Sequence, residues 1–272
     1  MPNSALNNRP LHCSNLSNNF PSINLLPTNF SVILIITESI LTRRWSRGRR
    51  VSDCCSWDGV ECDNNTSQVI GLDLSCSWLN GTIHPNTTIF YYFPHLQSLN
   101  LAFNDFVPIE VSFLSKLVSL DLSSNYGLRL EEPGFELLVQ NLTKVRELNL
   151  ANVNISSVVS NSLLNLTSLT LLDLSGCGLL GKLPDGIFHL PHLNELSLFY
   201  NLALTGYFPE FINSSSPLQY LVLSYTNFSG ELPDSIGNLK SLKMLYASLC
   251  KFYGSIMDPS LRRSETLRKL FV

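Results

Sequence analysis

The sequence predicts an α/β repeat solenoid: short parallel strands stacked into one curved sheet, with irregular or 3-10 returns on the convex side. Three observations predict it. A leucine opening an L-x-L-like core recurs at Leu72, Leu99, Leu120, Leu148, Leu172, Leu196, Leu221, Leu245 and Leu270. The successive spacings are 27, 21, 28, 24, 24, 25, 24 and 25 residues. Five residues after the marker stands a small polar or sulfur side chain: Asn104, Asn125, Cys177, Asn201, Thr226 or Cys250. A period of about 20–29 residues with this pattern is the leucine-rich-repeat signature.

The unit is clearest from Leu169 to His192, LTLLDLSGCGLLGKLPDGIFHLPH. Its strand alternates, so Leu172 and Leu174 point inward and the residues between them point to the concave face. One unit cannot bury its leucines alone and needs a copy on each side. Each leucine so buried contributes roughly 1.5–3 kcal/mol before entropy is charged against it. The Asn position pairs with turn backbone that no strand satisfies; Cys177, Thr226 and Cys250 read as structural substitutes. Gly181, Gly206, Gly230 and Gly254 recur just beyond it, where permissive backbone angles are expected.

Composition bounds the function. Hydrophobic residues are 44% of the chain, ample for a core. From Cys54 onward nineteen Asp and Glu stand against twelve Lys and Arg, a balance of −7. An acidic body argues against a nucleic-acid partner. No apolar run approaches the ~20 residues that cross a bilayer, and no secretory signal is recognisable. Seven cysteines leave at least one without an intrachain partner.

Residues 1–53 form an irregular N-terminal segment rich in Asn, Ser and Pro, then in arginine (Arg43, Arg44, Arg47, Arg49, Arg50). A solvated tail explains this composition more simply than a localisation patch. Residues 54–68 read as a cap beginning CCSWDGVEC, followed by about eight repeats and a truncated ninth over 69–272. Cys55 and Cys62 could close a small loop there, with Trp57 covering the first repeat. Zinc needs four ligands; three local cysteines and no histidine do not supply them.

This stretch and the repeats resemble plant extracellular leucine-rich-repeat proteins, whose amino-terminal cap reads C-C-x-W-x-G-V-x-C. Leu172–Pro184, Leu196–Pro209 and Leu221–Pro233 follow the plant form L-x-x-L-x-L-x-x-N-x-L-x-G-x-I/L-P. LDLSCSWLNGTI and LNLAFNDF are similar to the receptor-like proteins of disease resistance. The resemblance implies a Cys55–Cys62 disulfide, with Cys54 lacking its usual upstream partner. It implies a ligand-binding ectodomain at the extracellular side of the plasma membrane, with a protein, peptide or glycan ligand and a co-receptor or adaptor kinase. A secreted inhibitor of pathogen cell-wall-degrading enzymes and a receptor-kinase ectodomain are the alternatives. It also implies a capping helix before the paired cysteines. Shifting the frame from Asn8 permits S-S-I-A-L-L-Q-F, so residues from about Arg9 to Val51 read as out of frame. The stop at Val272, inside a ninth strand, reads as a fragment's end.

Other motifs point to no chemistry. Gly176-x-x-x-x-Gly181-Lys182 approximates a phosphate-binding loop, but Leu183 stands where Ser or Thr must bind magnesium. No G-x-S-x-G, H-E-x-x-H or kinase set occurs, so neither enzyme activity nor a cofactor is expected. The long third repeat, with Glu131, Glu132 and Glu136, predicts one or two helical turns on the convex side. Glycosylation sequons begin at Asn64, Asn65, Asn80, Asn86, Asn141, Asn154, Asn165, Asn213 and Asn227. With the cap cysteines they favour an oxidising, glycosylating compartment. Phe199, Tyr200, Tyr225 and Tyr246, flanked by Tyr220, are expected at outward positions of three successive strands. Exposed aromatics so clustered mark a candidate ligand-binding face.

Overall fold

The structure is a computed structural model and describes residues 55, 58–83, 95–109, 114–211, 216–253 and 269–271. The expectations for residues 1–53, Cys54, Trp57, Asn86, Asn213, Gly254 and Val272 lie outside these.

Every marker leucine lies within a short strand. The strands form a ten-stranded sheet in sequence order: β1 (Val60–Cys62), β2 (Val69–Asp73), β3 (Ser98–Asn100), β4 (Ser119–Asp121), β5 (Glu147–Asn149), β6 (Leu171–Asp173), β7 (Glu195–Ser197), β8 (Tyr220–Val222), β9 (Met244–Tyr246) and β10 (Lys269–Phe271). From β2 onward all pairings are parallel and in register, so Leu72, Leu99, Leu120, Leu148, Leu172, Leu196, Leu221, Leu245 and Leu270 form one continuous row. β1 turns back antiparallel on β2 and covers the edge of the first repeat. That strand is pinned by a disulfide between Cys55 and Cys62. Cys76 is disulfide-bonded too, a bond the sequence reading did not assign.

One hydrophobic cluster runs from Leu72 to Ala247, the continuous core that stacked repeats require. The amide five residues past the marker is buried as expected. Asn201 donates through Nδ2 to the Leu174 and Leu198 carbonyls, both at 2.9 Å, and accepts the Leu179 N–H through Oδ1 at 2.9 Å. Asn125 donates to Leu101 and Leu122 in the same way. Cys177 and Thr226 keep a single donation, to Leu150 (3.1 Å) and Leu223 (2.7 Å).

The long third repeat forms helix α1 (Gly134–Asn141), about two turns, which buries Phe135, Leu138 and Val139. The other convex returns include 3-10 turns at Asn161–Asn165, Asp185–His189 and Asp234–Asn238. The returns carry more order than the sequence suggested. Leu180–Lys182, Asn201–Gly206, Thr226–Glu231 and Lys251–Tyr253 make a second, four-stranded parallel sheet. Behind it Phe188, Phe208, Phe211, Phe228 and Phe252 pack ring on ring. Gly181 and Gly230 have positive φ, as expected. Gly206 does not: it is glycine because a Cβ there would run into the Phe228 ring.

Candidate ligand-binding face

The residues flanking each marker leucine project from the side of the sheet opposite the core. Two rows run along it. The second contains Asp73, Asn100, Asp121, Asn149, Asp173, Ser197, Val222 and Tyr246. In the first five of these repeats the Asp or Asn side chain accepts the N–H two residues on: Ser75, Ala102, Ser123, Ala151 and Ser175. This local turn bond is structural. The last three repeats abandon it and place Ser, Val and Tyr there instead.

A second regularity lies four residues past each marker. Cys76, Phe103, Ser124, Asn152, Gly176, Tyr200, Tyr225 and Leu249 all have φ between +53° and +64°. Each of the first seven donates its N–H to a carbonyl of the following repeat, for example Tyr200 to Ser224 and Tyr225 to Ser248, both at 3.0 Å. The left-handed conformation therefore extends the inter-repeat ladder one step beyond the strand. It costs roughly 1–2 kcal/mol for a residue other than glycine, and Asn and Gly are the types it favours. Two repeats use them; two others place tyrosine there.

The expected aromatic cluster is thereby relocated. Tyr220 and Tyr246 occupy strand positions on the concave face. Phe199 lies two residues past β7, and Tyr200 and Tyr225 lie in the left-handed turns rather than in strands. Phe199, Tyr200 and Tyr225 meet at centroid distances of 6.0, 5.5 and 5.9 Å. They stay 40%, 53% and 39% exposed. Tyr220 stands apart, with the Lys243 ammonium 5.7 Å above its ring; Tyr246 directs its hydroxyl to the Met244 sulfur at 3.6 Å.

Acidic side chains line the concave face before these rings. Burial raises the carboxyls of Asp121 and Asp173 above the ordinary aspartate range. Burial also raises Glu195, with Glu147 and Asp173 adding repulsion and Lys243 opposing it. The Cys177 thiol is pushed up to about 12 by burial, so it stays protonated and unreactive. Among the described residues no group of three or more His, Cys, Asp or Glu is arranged to hold a metal. The phosphate-loop look-alike is no loop: Leu180–Lys182 is a strand, and Lys182 pairs with Asp185 at 2.9 Å.

Of the sequon asparagines, Asn64, Asn65, Asn80 and Asn165 are exposed, whereas Asn141, Asn154 and Asn227 are half-buried. Asn141 donates its amide to the Leu137 carbonyl at 2.7 Å. No helix among the described residues is long and apolar enough to cross a membrane.

The leucine-rich-repeat family model matches residues 168–190 and 217–239. Receptor-like protein 6 of Arabidopsis thaliana is 38% identical over 248 residues, covering 79% of this chain and 24% of that protein. Receptor-like protein Cf-9 of Solanum pimpinellifolium is 40% identical over 231 residues, covering 74% of this chain and 26% of that protein. Among solved structures, the Arabidopsis receptor kinase HAESA, in complex with the peptide hormone IDA and the co-receptor SERK1, superposes with a TM-score of 0.61. It is 27% identical and covers 80% of this chain and 46% of that one. The chain thus spans about a quarter of the length of the first two relatives. Repeat geometry, family model and relatives agree that this is a leucine-rich-repeat chain matching the plant receptor-like proteins.

Proposed function

We propose that the chain is a ligand-binding ectodomain segment of a plant cell-surface receptor-like protein that perceives a microbial or peptide signal. The observation that carries this reading is the change in surface chemistry at the last three repeats. There the structural Asp or Asn is given up, and the exposed rings of Phe199, Tyr200 and Tyr225 gather beside the concave face. Ring contacts of this kind contribute roughly 0.5–1.5 kcal/mol per pair, comparable to the backbone cost of the left-handed tyrosines. Packing alone therefore gives little reason to prefer tyrosine over asparagine or glycine there, whereas recognition does.

The relatives support the receptor-like reading over the secreted inhibitor and the receptor-kinase ectodomain, because those matched at 38–40% identity are receptor-like proteins. The HAESA complex, with its peptide and co-receptor, is the precedent for a peptide ligand and a co-receptor here. On this reading the segment is non-catalytic and works at the extracellular side of the plasma membrane. The test uses the chain secreted from plant cells, with synthetic peptide mixtures as bait. Tyr200→Ala and Tyr225→Ala should each weaken capture at least about fivefold while leaving the circular dichroism spectrum unchanged. Unchanged capture by both variants removes the patch.

A further inference from the structure

A shallow hollow of about 140 Å³ opens on the concave face across β6, β7 and β8, lined in part by Leu171, Asp173, Glu195, Ser197, Tyr220 and Val222. The register fixes its layout. Glu195 stands between Leu171 and Tyr220 in one row, and Ser197 stands between Asp173 and Val222 in the next. The two carboxylates are therefore diagonal neighbours on adjacent strands, with Cβ atoms roughly 7–8 Å apart. Apolar walls flank them: Leu171 on one side, Tyr220 and Val222 on the other.

The carboxylates upstream on the same face are provided for. Asp121 accepts from the Asn149 amide at 3.0 Å and from the Ser123 N–H; Glu147 accepts from the Ser119 hydroxyl at 3.1 Å. Those in the hollow are less so. Among the described residues Asp173 accepts from Ser175 alone, its N–H at 2.8 Å and its hydroxyl, and no hydrogen bond to the Glu195 carboxylate is found. Among the described residues neither forms an ion pair; the two ion pairs found, Arg129–Glu131 and Lys182–Asp185, lie elsewhere. Lys243, the cation nearest in effect, is held by the Gln219 side chain and the Tyr220 ring. Partly buried negative charge opposed only by Lys243, and only at Glu195, is costly, and a ligand cation relieves that cost. Leu171, Tyr220 and Val222 offer an aliphatic stem the apolar contact it needs on the way in.

We infer that this hollow is a subsite for a cationic side chain, arginine above lysine, of a peptide or protein ligand. A planar guanidinium bridges two separated carboxylates and stacks on a tyrosine ring, which an ammonium does less well. The inference rests on the reading of this face as the ligand face, but it involves residues outside the Phe199–Tyr200–Tyr225 cluster.

The test uses nonapeptide mixtures randomised except for a central arginine, lysine, citrulline or norleucine, captured on the secreted chain. Citrulline keeps the shape of arginine and removes its charge. The arginine mixture should be retained at least about tenfold over citrulline. Asp173→Asn with Glu195→Gln should bring that ratio near one, and these isosteric changes remove buried charge rather than packing. Asp121→Asn with Glu147→Gln should leave the ratio intact, which separates the subsite from the acidity of the whole body. Tyr200→Ala with Tyr225→Ala should weaken all mixtures and preserve the ratio. An arginine-to-citrulline ratio near one on the unaltered chain, including the case in which neither is retained, overturns the subsite. So does a ratio that survives Asp173→Asn with Glu195→Gln, or one lost with Asp121→Asn and Glu147→Gln. Failure of the tyrosine variants alone overturns the aromatic patch instead.

Discussion

Replacing Asn201 by alanine tests how the repeats are joined. Its side chain is fully buried and bonds two carbonyls and one N–H, reaching back to Leu174 and Leu179 in the preceding repeat. Alanine leaves the Leu179 N–H unpaired and both carbonyls short of a donor. An unsatisfied buried group costs about 1–3 kcal/mol. The carbonyls fall at the low end because each keeps a second lone pair, so the total loss is about 3–5 kcal/mol. Cysteine at this position restores the donation to the preceding repeat, the arrangement Cys177 and Cys250 already use, and should lose only about 1–3 kcal/mol. Urea unfolding followed by circular dichroism measures the difference. Equal losses for Asn201→Ala and Asn201→Cys would refute the account, since the donation to the preceding carbonyl would then carry no weight.

Three further expectations follow from the geometry. Gly206→Ala forces a Cβ into the Phe228 ring and should destabilise by about 1–3 kcal/mol, again by urea unfolding. Cys177, with its thiol at about 12, is ionised only to roughly one part in ten thousand at pH 8 and should resist iodoacetamide until the chain unfolds. The raised carboxyls of Asp121, Asp173 and Glu195 bind protons more tightly folded than unfolded. Their contribution is fullest below the ordinary carboxylate range and is lost as pH rises through their raised values. Thermal midpoints should therefore rise on mild acidification from neutral pH, and Asp173→Asn with Glu195→Gln should flatten that rise. Asp63 and Glu136, held low by hydrogen bonds, act in the opposite sense only at lower pH.

The sheet was legible because its determinants are chemical and periodic. A leucine every 21 to 28 residues, with an Asn, Cys or Thr five residues on in most repeats, leaves few alternatives, and the Asn201 bonds follow from the position of that residue. The second sheet was not legible. In Leu180–Lys182 all three residues are exposed, so no hydrophobic alternation announces a strand. The left-handed position escaped notice because Cys, Phe, Ser, Asn, Gly, Tyr and Leu all occupy it; only Asn152 and Gly176 advertise such a backbone. Tyr200 and Tyr225 were for that reason expected on strands. Gly206 looked like a turn glycine, and only the placement of Phe228 shows that space, not angle, selects it. The disulfide at Cys76 had no local spacing pattern to reveal it.

The most direct test of the central claim is hydroxyl-radical footprinting of the secreted chain, alone and with a peptide retained from the mixtures. The account predicts protection concentrated at Phe199, Tyr200, Tyr220 and Tyr225. Protection confined to the convex turns, around the exposed His189 and Lys240, with those four rings still labelled at full rate, would contradict it.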